Sequence, residues 1–177
     1  GELVFANGSS ITVGTSFRGG TLRYLHVSEF GKICAKYPDK AKEIVTGAFE
    51  AVGKNCVITI ESTAEGNSGY FFTYSQKAEE NQLLNKKLSN LDWSFFFFPW
   101  YEDPNYRLPV NGEGVPQRLV EYFFELEQTL GIVIDDEQRA WYYAKELTLG
   151  ADMKREYPST PKEAFEQIIE GAYYSTQ

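Results

Sequence analysis

Apolar residues near the start of the chain come in short runs with strand character. Leu3 to Phe5 and Ile11 to Thr15 flank Asn7-Gly8, a pair suited to a tight hairpin turn. A third run, around Tyr24, Leu25 and Val27, reads as a buried strand that stops at Ser28-Glu29, where Phe30-Gly31 is expected to turn the chain. From Asp39 to Val52 the period changes. Ile44, Val45, Ala48, Phe49 and Val52 recur at three- and four-residue spacing, which predicts a helix with Asp39 as its cap and Gly53 at its end. Cys56 to Ile60 ("CVITI") is a continuous β-rich run of the kind buried on both faces, and it leads into Glu61–Gly66. Tyr70 to Ser75 reads as another strand, Gln76 to Asn90 as a helix or loop. Trp93 to Trp100 reads as a further buried strand stopped by Pro99.

Strand, helix and strand within about forty residues form a βαβ unit, whose crossover makes the two strands parallel. The expected class is therefore α/β with a mainly parallel sheet. Parallel neighbours place their carboxyl ends on one edge, where open α/β sheets bind ligands. Glu29 and the group Glu61, Ser62, Thr63 are expected to share that edge. After Pro99 the texture shifts to a Pro- and Gly-rich connector, "YEDPNYRLPVNGEGVP", and then to helices. Leu119, Phe123, Leu126 and Leu130 form one stripe between Pro116 and Gly131. A second helix is predicted from about Asp136 to Leu149 with Ala140, Trp141, Ala144 and Leu147 inward. A third opens on a capping box with Thr160 at the cap, Pro161 first and Glu163 three after the cap.

Composition narrows the chemistry. Of 177 residues 42% are hydrophobic and 16% aromatic, enough for a real core. No run of 18 apolar residues is present, so no membrane helix is expected, and no basic-then-apolar leader is visible. Cys34 and Cys56 lie far apart and His26 is the single histidine, too few ligands for a zinc site. Reduced thiols in a cytoplasm are the expected state. A net charge of −8 argues against general phosphate binding, so any nucleic acid would be gripped locally or by other parts of the protein.

Several residues carry candidate chemistry. A carboxylate fixed at a strand tip, as Glu29 is, suits the polarisation of a water beside a phosphate; a solvated strand end is the alternative. Ser62 and Thr63 at the next tip can bond that water or a phosphate oxygen, or cap a turn. Arg18, in the Gly-rich loop "SFRGG", can act as an arginine finger or remain a solvated loop cation. Glu29 and Glu61 could form a glycosidase carboxylate pair, and Phe95 to Tyr106 could be a stacking surface. The phosphate-cradling G-x-x-x-x-G-K-[ST] loop does not occur in these residues.

Taken in order, the motifs resemble the large terminase subunit of tailed bacteriophages, an ATP-driven DNA-packaging motor. "NGSSITVGTSFRGGTLRYLHVSEFGK" looks like that family's hairpin, arginine loop and Walker B strand, and "VITIESTAEGNSGYFF" like its ATPase-coupling motif. "WSFFFFPWYEDPNYRL" and "REYPSTPKEAFEQ" look like the stretch that links ATPase to nuclease. The resemblance implies a P-loop, RecA-like core in residues 1–98 and a linker with a helical subdomain in 99–177. It makes Glu29 the catalytic glutamate, and Ser62, Thr63 and Ala64 the coupling motif. It places Ser28 at the nucleotide site where many relatives have a magnesium-associated Asp, and Arg18 like an arginine that reaches a neighbouring subunit's ATP. ATP and magnesium are the implied cofactors. Double-stranded DNA, the portal protein, the small terminase subunit and other copies in a ring are the implied partners, in the cytoplasm of a bacterial host. It also implies an internal fragment, with the Walker A loop upstream of Gly1 and a two-metal nuclease site downstream of Gln177. A helicase-like translocase, or an inactive prophage remnant or scaffold, remains the alternative.

Overall fold

The computed structural model describes residues 1–15, 21–110, 112 and 114–166. They form a mixed α/β structure with a small parallel sheet. The chain opens on a hairpin of β1 (Glu2–Val4) and β2 (Ser10–Thr12), paired antiparallel. Asn7 accepts from Ser9 N and Oγ, and Gly8 adopts φ 82°, so the turn forms where the Asn-Gly pair predicts it. Every residue from 1 to 15 is exposed.

Strand β3 (Leu22–Val27) pairs in parallel with β4 (Val52–Ile60), with Leu25 opposite Ile58 and Val27 opposite Ile60. The expected parallel neighbours are present. A register irregularity between Leu22 and Tyr24 coincides with Asn55 at φ 67° on β4. β4 is not buried on both faces as its apolar run suggests. Val57 is 54% exposed, because the sheet has two strands among the described residues and only one covered face.

Between these strands the helical stretch begins earlier than the periodicity predicts. Phe30-Gly31 does not simply turn the chain; it opens α1 (Phe30–Lys36), whose Phe30 and Cys34 reach the core one turn apart. A second helix, α2 (Pro38–Glu43), starts on Pro38 and widens into a π turn at Ile44–Ala48, closed by Phe49 N donating to Ile44 O. Asp39 is therefore not the cap but a first-turn residue, where its charge suits the helix dipole. Val52 and Gly53 belong to β4 rather than to the helix end.

The predicted strand Tyr70–Ser75 is helical instead, the start of α3 (Gly69–Leu83). Its β-prone residues mislead because their partners decide the outcome. Phe71 and Tyr74 pack with Phe30 and Cys34, and Ala78 and Asn81 continue the same face at helical spacing. The predicted strand Trp93–Trp100 pairs with no strand among the described residues. Phe95 and Phe97 are half-buried, Phe96 and Phe98 are exposed, and a 3₁₀ turn begins at Trp100.

The remainder is helical: α4 (Gln117–Leu130), α5 (Asp136–Leu149), the single turn α6 (Met153–Glu156) and a further helical stretch at 161–166. The α4 stripe buries Leu119 and Phe123, and Gly131 ends the helix at φ 67°. α5 has the predicted bounds but a rotated inner face. Gln138, Trp141 and Tyr142 are buried, whereas Leu147 is 70% exposed. Its capping box, Asp135 with Gln138, was not apparent in the apolar pattern. At the last helix Glu163 N donates to Thr160 Oγ1, as predicted. The Glu163 carboxylate accepts from Ser159 N rather than from Thr160 N, so the box is half formed. Among the described residues no helix is long and apolar enough to cross a membrane.

Candidate functional site at the carboxyl edge of the parallel strands

Where β3 ends, Ser28 and Glu29 make the turn into α1. Glu29 is the residue before the helix and sits at φ 56°, ψ 35°, a left-handed conformation costing a non-glycine residue about 1 kcal/mol. Surrounding contacts enforce it. Phe30 N donates to Glu61 O at 3.0 Å, Ile33 N donates to Glu29 O at 3.0 Å, and Glu61 N donates to Val27 O at 3.2 Å. The first turn of α1 is thereby tied to the tip of β4.

Gly31 makes this close approach possible. A Cβ there would lie 2.9 Å from both Ser62 Oγ and Thr63 O and 3.0 Å from the Phe71 ring. No side chain fits at that point. The structure thus brings Glu29 and the Ser62-Thr63-Ala64 group to neighbouring strand tips. Arg18 lies outside the described residues.

The polar groups at this edge divide into two sets. Glu29 accepts from Lys32 Nζ at 3.1 Å, and this carboxylate raises the lysine pKa. Glu61 accepts from Ser28 Oγ at 2.5 Å and lies 3.5 Å from His26 Nε2, with both side chains of the latter pair about half exposed. The Ser28 hydroxyl is therefore already committed to Glu61. Ser62 Oγ differs: it is buried and has no hydrogen-bond partner among the described residues. An orphaned hydroxyl at a strand tip carries a desolvation cost unless something bonds to it. Thr63 is half-buried and Ala64 is buried.

A cavity of about 500 Å³ adjoins the edge, lined among others by Ile60, Ser62, Phe71, Phe97 and Arg155. Cys34 lies on the buried face of α1, where burial pushes its thiol pKa up, and Cys56 on β4 is also outside any disulfide. Residue types alone did not reveal three participants: Lys32, Gly31 and the role of Glu61 as acceptor for Ser28. Lys32 would have followed from placing a helix directly after Glu29, since three-residue spacing then brings the pair together.

As a test of magnesium, the described residues offer no group of three or more His, Cys, Asp or Glu able to hold a metal. Ser28 is already bonded to Glu61. These residues do not by themselves form a magnesium site. The fold and edge together define a mixed α/β protein with polar residues gathered at the carboxyl end of a parallel strand pair. No family model, curated protein or solved structure matches the chain.

Proposed function

We propose that these residues form part of the large terminase subunit of a tailed bacteriophage, a motor that hydrolyses ATP to move double-stranded DNA into the procapsid. One observation carries the reading. Glu29 is held in a strained backbone conformation at the tip of a parallel strand, beside a buried, unpartnered Ser62 hydroxyl at the neighbouring tip. Strain of this kind persists where surrounding structure over-determines it, commonly at working sites.

In this reading Glu29 accepts the proton of the water that attacks the γ-phosphorus of ATP, while the bond to the departing ADP oxygen breaks. Lys32 holds the carboxylate in position before water arrives. Ser62 and Thr63 bond the water or a phosphate oxygen. Because Phe30 N is tied to Glu61 O, a shift at either tip is passed to α1. The reading requires a phosphate-binding loop and magnesium ligands from residues other than these 177, since the loop motif does not occur in them. No step is assigned to the metal. DNA, the portal, the small subunit and other copies of the chain belong to the same proposal.

The test is Glu29→Gln in the protein that carries this segment. ATP hydrolysis should fall by about 100-fold or more while ATP affinity stays within about threefold. Turnover at the parent rate would overturn the assignment. The engagement of Ser28 by Glu61 favours a second reading, a chain that keeps the fold without the chemistry. Absence of ATP binding in the parent protein would select it.

A further inference from the structure

The turn of the β1–β2 hairpin joins an asparagine to a glycine in an exposed segment. Gly8 sits at φ 82°, and apart from its chain neighbours nothing lies within 4 Å of where a Cβ on it would stand. Two backbone bonds set the turn: Gly8 N donates to Phe5 O at 2.9 Å, and Phe5 N donates to Ser9 O at 2.8 Å. Two more set the Asn7 side chain. Its Oδ1 accepts from Ser9 N at 3.1 Å and from Ser9 Oγ at 2.7 Å. Its Nδ2 has no partner among the described residues.

We propose that Asn7 is a site of spontaneous deamidation, promoted by the turn that holds it, with water as the only co-reactant. The Gly8 nitrogen, having lost its proton to hydroxide, attacks Asn7 Cγ. A nitrogen–carbon bond forms, the Cγ–Nδ2 bond breaks, and Nδ2 takes up a proton and leaves as ammonia. The product is a five-membered succinimide. Water then adds to one of its two carbonyls and breaks the bond from that carbon to the Gly8 nitrogen, which regains its proton. Opening at the backbone carbonyl of residue 7 routes the main chain through Cβ and Cγ, which is isoaspartate. Opening at Cγ leaves ordinary aspartate.

The turn supplies what this chemistry needs. Gly8 has no side chain to crowd the attack by its nitrogen. Both Ser9 donors point at Oδ1, the oxygen on which negative charge builds as the ring closes, and donors so placed stabilise that transition state. One feature opposes it, the bond from Gly8 N to Phe5 O, but a two-stranded ribbon without a packed face opens readily. Asn81 shows the contrast. It is 2% exposed within α3, is followed by Gln82 and donates through Nδ2 to Asp92 Oδ1. Isoaspartate at position 7 adds a negative charge and one main-chain atom between Phe5 and Ser9, which breaks the register of β1 with β2.

The inference is independent of any catalytic role for Glu29. Its test ages the whole chain in mildly alkaline buffer and follows it by peptide mapping with mass spectrometry and by enzymatic methylation of isoaspartate. Mapping separates position 7 from the second Asn-Gly pair at 111–112. Isoaspartate is expected at position 7 at least about tenfold faster than at position 81, at a rate that rises with pH. Ser9→Ala, which removes one donor to Oδ1, should slow the reaction about threefold, and Ser9→Thr, which keeps the hydroxyl, should restore it. Asparagine that persists at position 7 as long as at position 81 would overturn the site. Aspartate without isoaspartate would overturn the ring. An equal or faster rate in Ser9→Ala would overturn promotion by the turn.

Discussion

The two halves of the molecule spend their aromatic residues differently. In the helical half Trp100, Trp141, Phe123 and Tyr142 pack face to face and edge to face around one centre, with Tyr106 stacked on Trp141 at 4.2 Å. Polar tips inside that cluster have partners. Trp100 Nε1 donates to Ser159 Oγ at 2.8 Å, and Tyr122 Oη donates to Glu163 Oε1 at 2.8 Å. The sheet half centres on Phe30, Cys34 and Ala41, leaves Tyr24 and Val57 largely exposed, and keeps an orphaned Ser62 hydroxyl. One half is closed on itself, and the other is built with an open edge. A satisfied core stabilises a unit; a strained residue and an unmet polar group single out the region where a working site is to be sought.

Removing the centre of the closed half breaks the comparison most forcefully. Trp100, 2% exposed, should cost about 3–5 kcal/mol when replaced by alanine. Amide exchange should then rise in α4 and α5 well before it rises in β3 and β4. Equal loss in both halves would mean that they form one cooperative unit, with Phe165 against Phe71 and Phe72 as the bridge.

A somewhat smaller effect, about 1–3 kcal/mol, is expected for Gly31→Ala, whose new methyl would meet Ser62, Thr63 and Phe71. The urea midpoint of the sheet half should drop while that of the helical half holds.

Next in size is a pH effect confined to the closed half. The Ile134 amide, and then Arg139, hold the Glu127 carboxyl below its ordinary pKa of 4.5, against the opposing effect of burial. A folded-state pKa below the unfolded one means that this stabilisation is present above about pH 4.5 and is lost as the pH falls through the folded-state value. Glu127→Gln should cost about 1 kcal/mol at pH 7 and flatten the acid limb of the stability curve. An unchanged acid limb in thermal melts would remove Glu127 from the account.

The smallest change should go the other way. Glu29→Gly relieves the left-handed backbone and should raise the stability of the sheet half by about 0.5 kcal/mol, while ending any hydrolysis that depends on the carboxylate. Reduced stability in equilibrium denaturation would show that Glu29 is held by more than its neighbours' geometry.

Much of this architecture was legible in residue patterns. The Asn7-Gly8 turn, the parallel pairing of β3 with β4 and the α4 stripe follow from local chemistry that tertiary contacts do not override. The errors share a cause. Tyr70–Ser75 and Phe95–Phe98 have strong strand propensity, but that propensity needs a partner strand. Tyr70–Ser75 packs as a helix on α1, and Phe95–Phe98 pairs with no strand among the described residues. At the candidate site the strand-tip positions of Glu29 and Ser62 were readable from spacing. The left-handed turn, the Gly31 contact and the Ser28–Glu61 bond depend on how the two tips meet, which no single segment encodes.

The hairpin at the start of the chain has its own consequence. Its hydrogen bonds run from one arm to the other, closed by Gly1 N on Val13 O at 2.7 Å, and none of its residues is covered. A two-stranded ribbon without a packed face is marginal in water, so it should fray and re-form on its own while the rest stays folded. Its tip at Asn7-Gly8 is accordingly a natural insertion point. A fluorophore site, an epitope or a tether placed there would report on the protein's surroundings without disturbing either core.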